Sequence, residues 1–317
     1  MRNMNNPFLY SDTNRRFYTY DYDLRRRFGK KCFKVPLDGG FTCPNIDGTK
    51  GRGGCTYCAL RLHSREAIAP LRSQFDAARE RLHHKWPDAL YIAYFQDFTN
   101  TYAPAERLRT LYEEALRFPN VVGMNIATRA DALPDDVVAL LREMASRTAL
   151  TVELGLQSVH DSTARRIHRG HTWEEFLEGY HRLEGIDVCV HLINGLPGED
   201  KEMMLESVRA VAALHPRSVK LHLLHLLRGT QMAAEYERGE FELLTLEQYA
   251  DIVVSQLELL PEDVVIARLT GDGLADELIG PLWSRKKFVV MNEIDKLMVA
   301  RNTWQGRLAE KGTNSCY

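Results

Sequence analysis

The sequence predicts an α/β fold, a partial (β/α)6 TIM-like barrel followed by a C-terminal α/β extension, and three observations carry that prediction. β-rich runs alternate with amphipathic helical stretches six times between residues 31 and 228, which calls for parallel strands joined by helical crossovers. In strand after strand one face is apolar and the other carries a charged or imidazole side chain; an open sheet covered by helices on both sides wants apolar residues on both. The 317 residues would suit two average domains, but α/β barrels often run past ~250 residues as one, and no Pro-, Gly- or Ser-rich linker divides the chain.

Each element follows from its own signals. KCFKVPLD (31–38) reads as the first strand, and 71–86 as a mixed-charge helix broken at Trp86-Pro87. LYIAYFQ (90–96) is the second strand, followed by a helix over 104–117 with Pro104 at its first position. VVGMNIATR (121–129) is the third strand, and 135–147 a helix with acid at its start. LTVELGLQS (150–158) is the fourth strand; the helix 172–183 after it has Thr172 as cap and Glu175 as capping-box partner. The fifth strand lies within 187–195, a helix over 199–214, and the sixth strand within 217–227. Beyond 228 come helical stretches at 230–239, 245–260 and 288–310 and one strand-like run, 264–271. The organisation expected is a basic, aromatic N-terminal segment (1–30), a barrel core (31–228) and an extension packed on it (229–317).

Strand phase points to a lumen. Val152, Leu154 and Leu156 share one face and Thr151, Glu153, Gly155 and Gln157 the other; Val188, Val190 and Leu192 oppose Cys189, His191 and Ile193. Val219, Leu221 and Leu223 oppose Lys220 and His222, and Val122, Met124 and Ile126 oppose Asn125 and Arg129. A curved sheet with helices outside and a polar chamber inside satisfies all four. His191, Lys220 and His222 are therefore candidates for substrate contact or proton handling, since an imidazole titrates near neutrality and a lumen lysine can grip an anion.

Composition narrows the class. The chain is 44% hydrophobic and 26% charged, with 41 Lys+Arg against 43 Asp+Glu, net −2; disorder, collagen and membrane bundles look different. No apolar run reaches the ~18–20 residues of a spanning helix, and MRNMNNPFLY lacks an apolar signal core. A cytoplasmic protein with reduced thiols and no membrane is the expectation. No G-x-S-x-G, HExxH or P-loop is present.

The six cysteines divide by position. Cys43, Cys55 and Cys58 cluster in GGFTCPNIDGTKGRGGCTYC, spaced x11 and x2, while Cys32, Cys189 and Cys316 are scattered. Clustered thiols of a reducing compartment read as metal ligands or a redox pair before they read as bridges. Zinc would need a fourth ligand, for which His63 is available. Cys55 and Cys58 could form a thioredoxin-like pair. Three thiolates could instead hold three irons of a cubane and leave the fourth open. Spacing leaves zinc and iron–sulfur both open; the place of the triplet, after the first strand of a βα series where barrel active sites are built, favours a catalytic centre. His168-x2-His171 and His222-x2-His225 lack an accompanying carboxylate or thiol at ligand spacing and make weak candidates for a second metal.

At these residues the sequence resembles the radical S-adenosylmethionine (SAM) superfamily, whose mark is three cysteines after the first strand ending in Cys-x-aromatic-Cys, here Cys55-Thr56-Tyr57-Cys58. The long x11 gap resembles its Elp3-like branch. The stretches YFQDFTNTYAP, VELGLQS, IHRGH, HLINGLPGE, VKLHLLH and GPLWS extend the likeness along nearly the whole chain, to the YhcC/YtqA-like family. The resemblance implies that Cys43, Cys55 and Cys58 ligate one [4Fe–4S] cluster whose open iron chelates SAM. It places Tyr57 near the adenine and Gln96, Asp97 and Thr99 where the methionyl amine is held, without that motif's usual glycines. It gives Glu153, with Gln157 on the same face, the ribose hydroxyls, Arg166 or Arg169 the methionyl carboxylate, and the segment of Ile193 and Gly195 the border of the adenine. A reduced cluster then cleaves SAM to a 5′-deoxyadenosyl radical that abstracts hydrogen from substrate. An electron donor such as flavodoxin or ferredoxin is implied.

The Elp3-like branch includes tRNA modifiers, and the YtqA-like group is associated with trimming the carboxymethylaminomethyl group of wobble uridine, so tRNA is the expected substrate. The stretch 15–31, with seven Arg and Lys among Phe17, Tyr18, Tyr20, Tyr22 and Phe28, offers a patch for phosphates and bases, interrupted by Asp21 and Asp23. A solvated helix face is the plainer account of it. The alternatives are a radical SAM enzyme acting on a tetrapyrrole-like small molecule, and a non-catalytic zinc-binding nucleic-acid module.

Overall fold

The computed structural model describes residues 8, 14–59, 68–271 and 276–309; His63 and Cys316 lie outside them. The chain opens with α1 (Tyr20–Phe28), β1 (Cys32–Leu37), α2 (Leu71–His83), β2 (Leu90–Phe95), α3 (Ala105–Leu116), β3 (Val121–Thr128) and α4 (Asp135–Arg147). It continues with β4 (Ala149–Gln157), α5 (Asp161–Arg166), α6 (Trp173–Arg182), β5 (Asp187–Asn194), α7 (Lys201–Leu214), β6 (Ser218–Leu223) and β7 (Leu226–Leu227). The last elements are α8 (Gln231–Glu237), α9 (Leu246–Leu259), β8 (Val265–Arg268), β9 (Leu278–Gly280) and α10 (Lys287–Ala300).

Local chemistry sets the helix ends. Thr172 and Glu175 form the expected capping box at α6, and Thr245 with Gln248 repeats it at α9. Pro104 caps α3 in an extended conformation, one position before the place expected of it. α4 starts on Asp135 and Asp136, carboxylates that favour the positive end of the helix dipole.

Seven strands form one parallel sheet in the order β1-β2-β3-β4-β5-β6-β8. The partial barrel therefore has one strand more than the sequence reading. Residues 265–268, expected in the extension, are its far edge, because Ser218 and Val219 of β6 pair with Val265 and Ile266. β7 and β9 make a separate antiparallel pair. The outer faces pack as predicted: Val152, Leu154, Val190, Val219 and Leu221 are fully buried in one apolar core beneath the helices. Among the described residues no helix is long and apolar enough to cross a membrane.

The N-terminal segment closes the open side. Thr19 bridges Ile266, whose N–H donates to the Tyr18 carbonyl at 2.8 Å, and α1 packs on both β8 and β1. This narrows the nucleic-acid expectation for 15–31. Phe17 and Tyr18 are buried rather than presented for stacking. Arg25 and Lys31 pair with Asp21, and Arg27 with Asp187. Asp21 pairs with two bases of the stretch and Asp23 with Arg217, while Tyr20, Tyr22 and Phe28 are half-buried.

Candidate active site

The loop leaving β1 carries the three clustered cysteines, and its folding is dictated by its polar and glycine residues. Cys43 O accepts from Ile46 N at 2.8 Å and Asp47 N at 3.2 Å, starting a tight turn. Asn45 pins the loop twice: its carbonyl accepts from Gly54 N at 2.9 Å, and its Nδ2 donates to His168 O at 2.5 Å. The same Nδ2 lies 3.5 Å from Cys55 Sγ. Gly53 and Gly54 hold φ of 81° and 73°, a conformation that side chains disfavour. Thr56 N donates to Ile167 O and Cys58 N to Cys55 O, both at 3.0 Å, so the loop returns against α5 with its thiols toward the lumen.

Cys43, Cys55 and Cys58 line one cavity of ≈ 290 Å³ together with residues of β2, β3, β4, β5, β6 and β8. The donor set fits a cluster better than one zinc ion. A zinc with Zn–S bonds of ~2.3 Å holds its sulfurs within about 4 Å of one another. Among the described residues the only three potential ligand atoms all within 4.8 Å belong to Glu153, Cys189 and His191, so the three loop thiols are not drawn together as one zinc ion would hold them. Burial, with the neighbouring Cys55 and Cys43, pushes the Cys58 thiol up to about 12. The cofactor's side of the cavity also fits. Arg169 lies 4.0 Å from Cys55 Sγ and donates to Gly155 O, while its Nε is buried with no partner, as a site for an anionic ligand would leave it. Gly155 makes room for this: a Cβ there would come within 2.9 Å of Arg169 and 2.7 Å of Gln157. A register shift in β4 between Gly155 and Gln157, with φ 77° at Gln157, re-aims that side chain at the cavity.

The far end of the cavity is a buried ion hub. Glu153, wholly inaccessible, accepts at Oε1 from Lys34 Nζ at 2.6 Å and Asn125 Nδ2 at 2.7 Å. At Oε2 it accepts from Tyr94 OH at 2.8 Å, from His191 Nε2 at 3.0 Å and from Lys220. Burial alone would raise the Glu153 carboxyl; Lys220, Lys34 and His191 outweigh it and hold the group well below the usual carboxylate range. Burial, then Lys220, pulls His191 down to about 4, against the pull of Glu153, so its imidazole is neutral. His222 packs beside it with ring centroids 5.2 Å apart and is likewise held neutral by burial, His191 and Lys220. With Lys34 and Lys220 on its oxygens, Glu153 is a poor ligand for the metal that its nearness to Cys189 and His191 would otherwise suggest.

The predicted site residues divide on this geometry. Tyr57, Gln96, Thr99, Gln157 and Arg169 line the cavity with the three thiols, and Glu153, His191, Lys220 and His222 line its other end. Four others lie outside that lining. Arg166 is committed to Glu235 at 2.7 Å. Ile193 packs in an apolar cluster with Leu196 and Leu224. Gly195 sits against Leu244 and donates to Met204 Sδ at 3.3 Å. Asp97 is close enough to Cys58 to help raise it. Sequence reasoning missed Lys34, Tyr94 and Arg268. Period-two alternation held the signal for Tyr94, two residues before Gln96, and for Lys34, two before Pro36.

A profile of the Radical SAM superfamily matches residues 46–211, and one of the Radical SAM C-terminal domain matches residues 216–300. The chain is 49% identical over 312 residues to the uncharacterized protein YtqA of Bacillus subtilis (strain 168), covering 97% of each. It is 28% identical over 156 residues to the tRNA uridine(34) acetyltransferase of Methanocaldococcus jannaschii, a match spanning 48% of this chain and 28% of that one. Its fold is similar to that of the archaeal Methanocaldococcus infernus Elp3 with an N-terminal deletion, at TM-score 0.64 and 20% identity, over 86% of this chain and 64% of that one.

Proposed function

The chain belongs to the radical SAM superfamily, and from that premise we propose that it carries one [4Fe–4S] cluster on Cys43, Cys55 and Cys58 and modifies the side chain of wobble uridine in tRNA. The observation that supports this best is the sharing of one cavity by a three-thiol loop and a row of lumen donors. When bound, the reduced cluster and SAM supply a 5′-deoxyadenosyl radical for hydrogen abstraction.

The chain's own residues bind, orient and exclude water. Arg169 offers a fork to the methionyl carboxylate. Gln96 and Thr99 take the amine, Gln157 the ribose and Tyr57 the adenine. His191, Lys220 and His222 face the substrate from the opposite end. Burial, opposed by Glu153, pulls Lys220 down to about 8, so its ammonium sits close to a proton-transfer range while anchored by Tyr94 OH at 3.0 Å. The strands and helices around the lumen limit the water that reaches it, which would protect a radical from quenching.

The tRNA substrate is supported by the relative named for uridine 34. The reductant is an electron-carrier protein of the flavodoxin or ferredoxin class, and the setting is the cytoplasm. Two assays test this in sequence. Anaerobically reconstituted protein should hold ~4 Fe per chain and release 5′-deoxyadenosine on reduction; a colourless protein with one zinc and no cleavage overturns the class. Unchanged tRNA nucleosides, both in vitro and in a deletion strain, would sink the tRNA substrate and leave a tetrapyrrole-like small molecule as the next to try.

A further inference from the structure

We infer that Glu153 is a positioning residue of the substrate end, fixing the proton on His191 and the aim of Lys220, and is not a ligand of the cofactor's ribose. The inference rests on the radical SAM reading only where SAM binding is used as a measure.

Acceptor capacity is the first argument. A carboxylate offers about four lone-pair sites, and Glu153 already takes five donors, from Lys34, Tyr94, Asn125, His191 and Lys220. Those donors come from β1, β2, β3, β5 and β6, so five strands converge on one side chain of β4. A ribose hydroxyl could bond Glu153 only by displacing one of them. The displaced group would be an ammonium, phenol, amide or imidazole in a closed lumen, and leaving it unpaired is costly. Gln157, three pairs further along β4 and beside Arg169, carries no such load.

The second argument is what the hub does to its neighbours. Register aligns Gly155, His191, Lys220 and Arg268 across four adjacent strands, one lumen-facing step above Glu153 and Cys189. A neutral imidazole has one N–H, and the one that reaches Glu153 is at Nε2, 3.0 Å away. Nδ1 is then left as an acceptor. Lys220 spends two of its three protons on Glu153 and Tyr94, leaving one to offer. Glu153 thus presets an acceptor and a donor side by side in the wall of the cavity, without touching the substrate itself.

The test uses the cluster-loaded protein in three measurements. In the parent protein, nitrogen NMR of the histidines at neutral pH, with His191 assigned by its loss in His191→Asn, should show the neutral Nε2–H tautomer. An Nδ1–H tautomer or an imidazolium overturns the proposal without any change at Glu153. In Glu153→Gln, SAM affinity by equilibrium dialysis should stay within about twofold of the parent, while the His191 tautomer becomes mixed. A loss of affinity of about tenfold or more with the tautomer unchanged makes Glu153 a cofactor ligand. Should that variant fail to fold, Glu153→Gln with Lys220→Met removes the orphaned ammonium; SAM affinity near the parent supports the inference, and its loss in a folded protein refutes it. None of these readouts needs tRNA or turnover, so a failed tRNA assay leaves them intact.

Discussion

The thiols at one end of the cavity come from a single loop, Cys43 to Cys58, whereas the hub at the other gathers Lys34, Tyr94, Asn125, Glu153, His191 and Lys220 from six strands. The loop end is electrostatically incomplete: burial and two neighbouring thiols oppose the ionisation of Cys58, and Arg169 Nε faces no partner. The hub end is complete, with a carboxylate already saturated by donors. An incomplete end is built to receive something. A saturated one is built to hold its own members still, and it ties the sheet together while doing so. Damage to the loop should therefore cost chemistry with little cost in folding, and damage to the hub should cost folding first.

The largest effect is expected at the loop. Cys55→Ala should lower bound iron from ~4 per chain to near none and abolish release of 5′-deoxyadenosine, with the thermal midpoint of the cluster-free protein almost unchanged. Iron analysis, product assay and calorimetry check the three parts, and a variant that keeps colour or cleavage breaks the comparison. Lys220→Met is the counterpart. It strips one cation from a buried pair, a class of change that costs about 3–5 kcal/mol; Lys34 remains on Glu153, so about 3 kcal/mol is expected in urea unfolding. A loss below about 1 kcal/mol, the scale of a surface pair, would mean the hub braces nothing.

Titration supplies one group of each sign, His191 at the hub and Cys58 at the loop. His191 is pulled from 6.5 to about 4, by burial and then Lys220, and His225 by the same amount, by burial and then Lys287. Their folded-state values lie below the unfolded ones, so the stability they contribute is whole above pH 6.5 and is lost as pH falls toward 4. Cys58 is the opposite: raised from 9 to about 12, its contribution in the cluster-free protein is whole below pH 9 and is lost as pH climbs toward 12. Urea midpoints across pH should fall at both extremes, with a slope of up to ~1.4 kcal/mol per pH unit for each group. His191→Gln should flatten only the acid arm and Cys58→Ser only the alkaline one. Both arms responding to either change would mean the ends are not independent.

The same contrast decides what could be read from the sequence. Three thiols close in sequence and glycines at positive φ are local signals, so the loop and the cofactor's side of the cavity were legible. Strand phase is local too, and it placed Glu153, His191, Lys220 and His222 on the lumen face. What phase cannot give is register. Nothing in LTVELGLQS says that Lys34 and Lys220 meet on one carboxylate, and so Glu153 read as free to bind a ribose. The seventh strand was missed for a related reason: VVIARLTG looks isolated until β6 pairs with it. In 15–31, composition suggested a surface for RNA because it cannot report that Phe17 and Tyr18 fill the barrel's open side.

The smallest effect expected is also the sharpest for the loop end, because it separates two arginines that the sequence treated as equals. Arg169 is buried, spends one terminal nitrogen on Gly155 O and keeps its Nε unpaired beside Cys55. Arg166, three residues earlier, is a third exposed and committed to Glu235. A fork-shaped donor facing a carboxylate loses its second prong when replaced by lysine. Arg169→Lys should therefore weaken SAM binding to the cluster-loaded protein about tenfold, ~1.4 kcal/mol. Arg166→Lys should change it by less than about twofold, since that pair only trades one partly exposed ion pair for another. Equilibrium dialysis reads both. If the order reverses, the cofactor's carboxylate lies outside the lumen, toward α8, and the incomplete end of the cavity is waiting for something other than SAM.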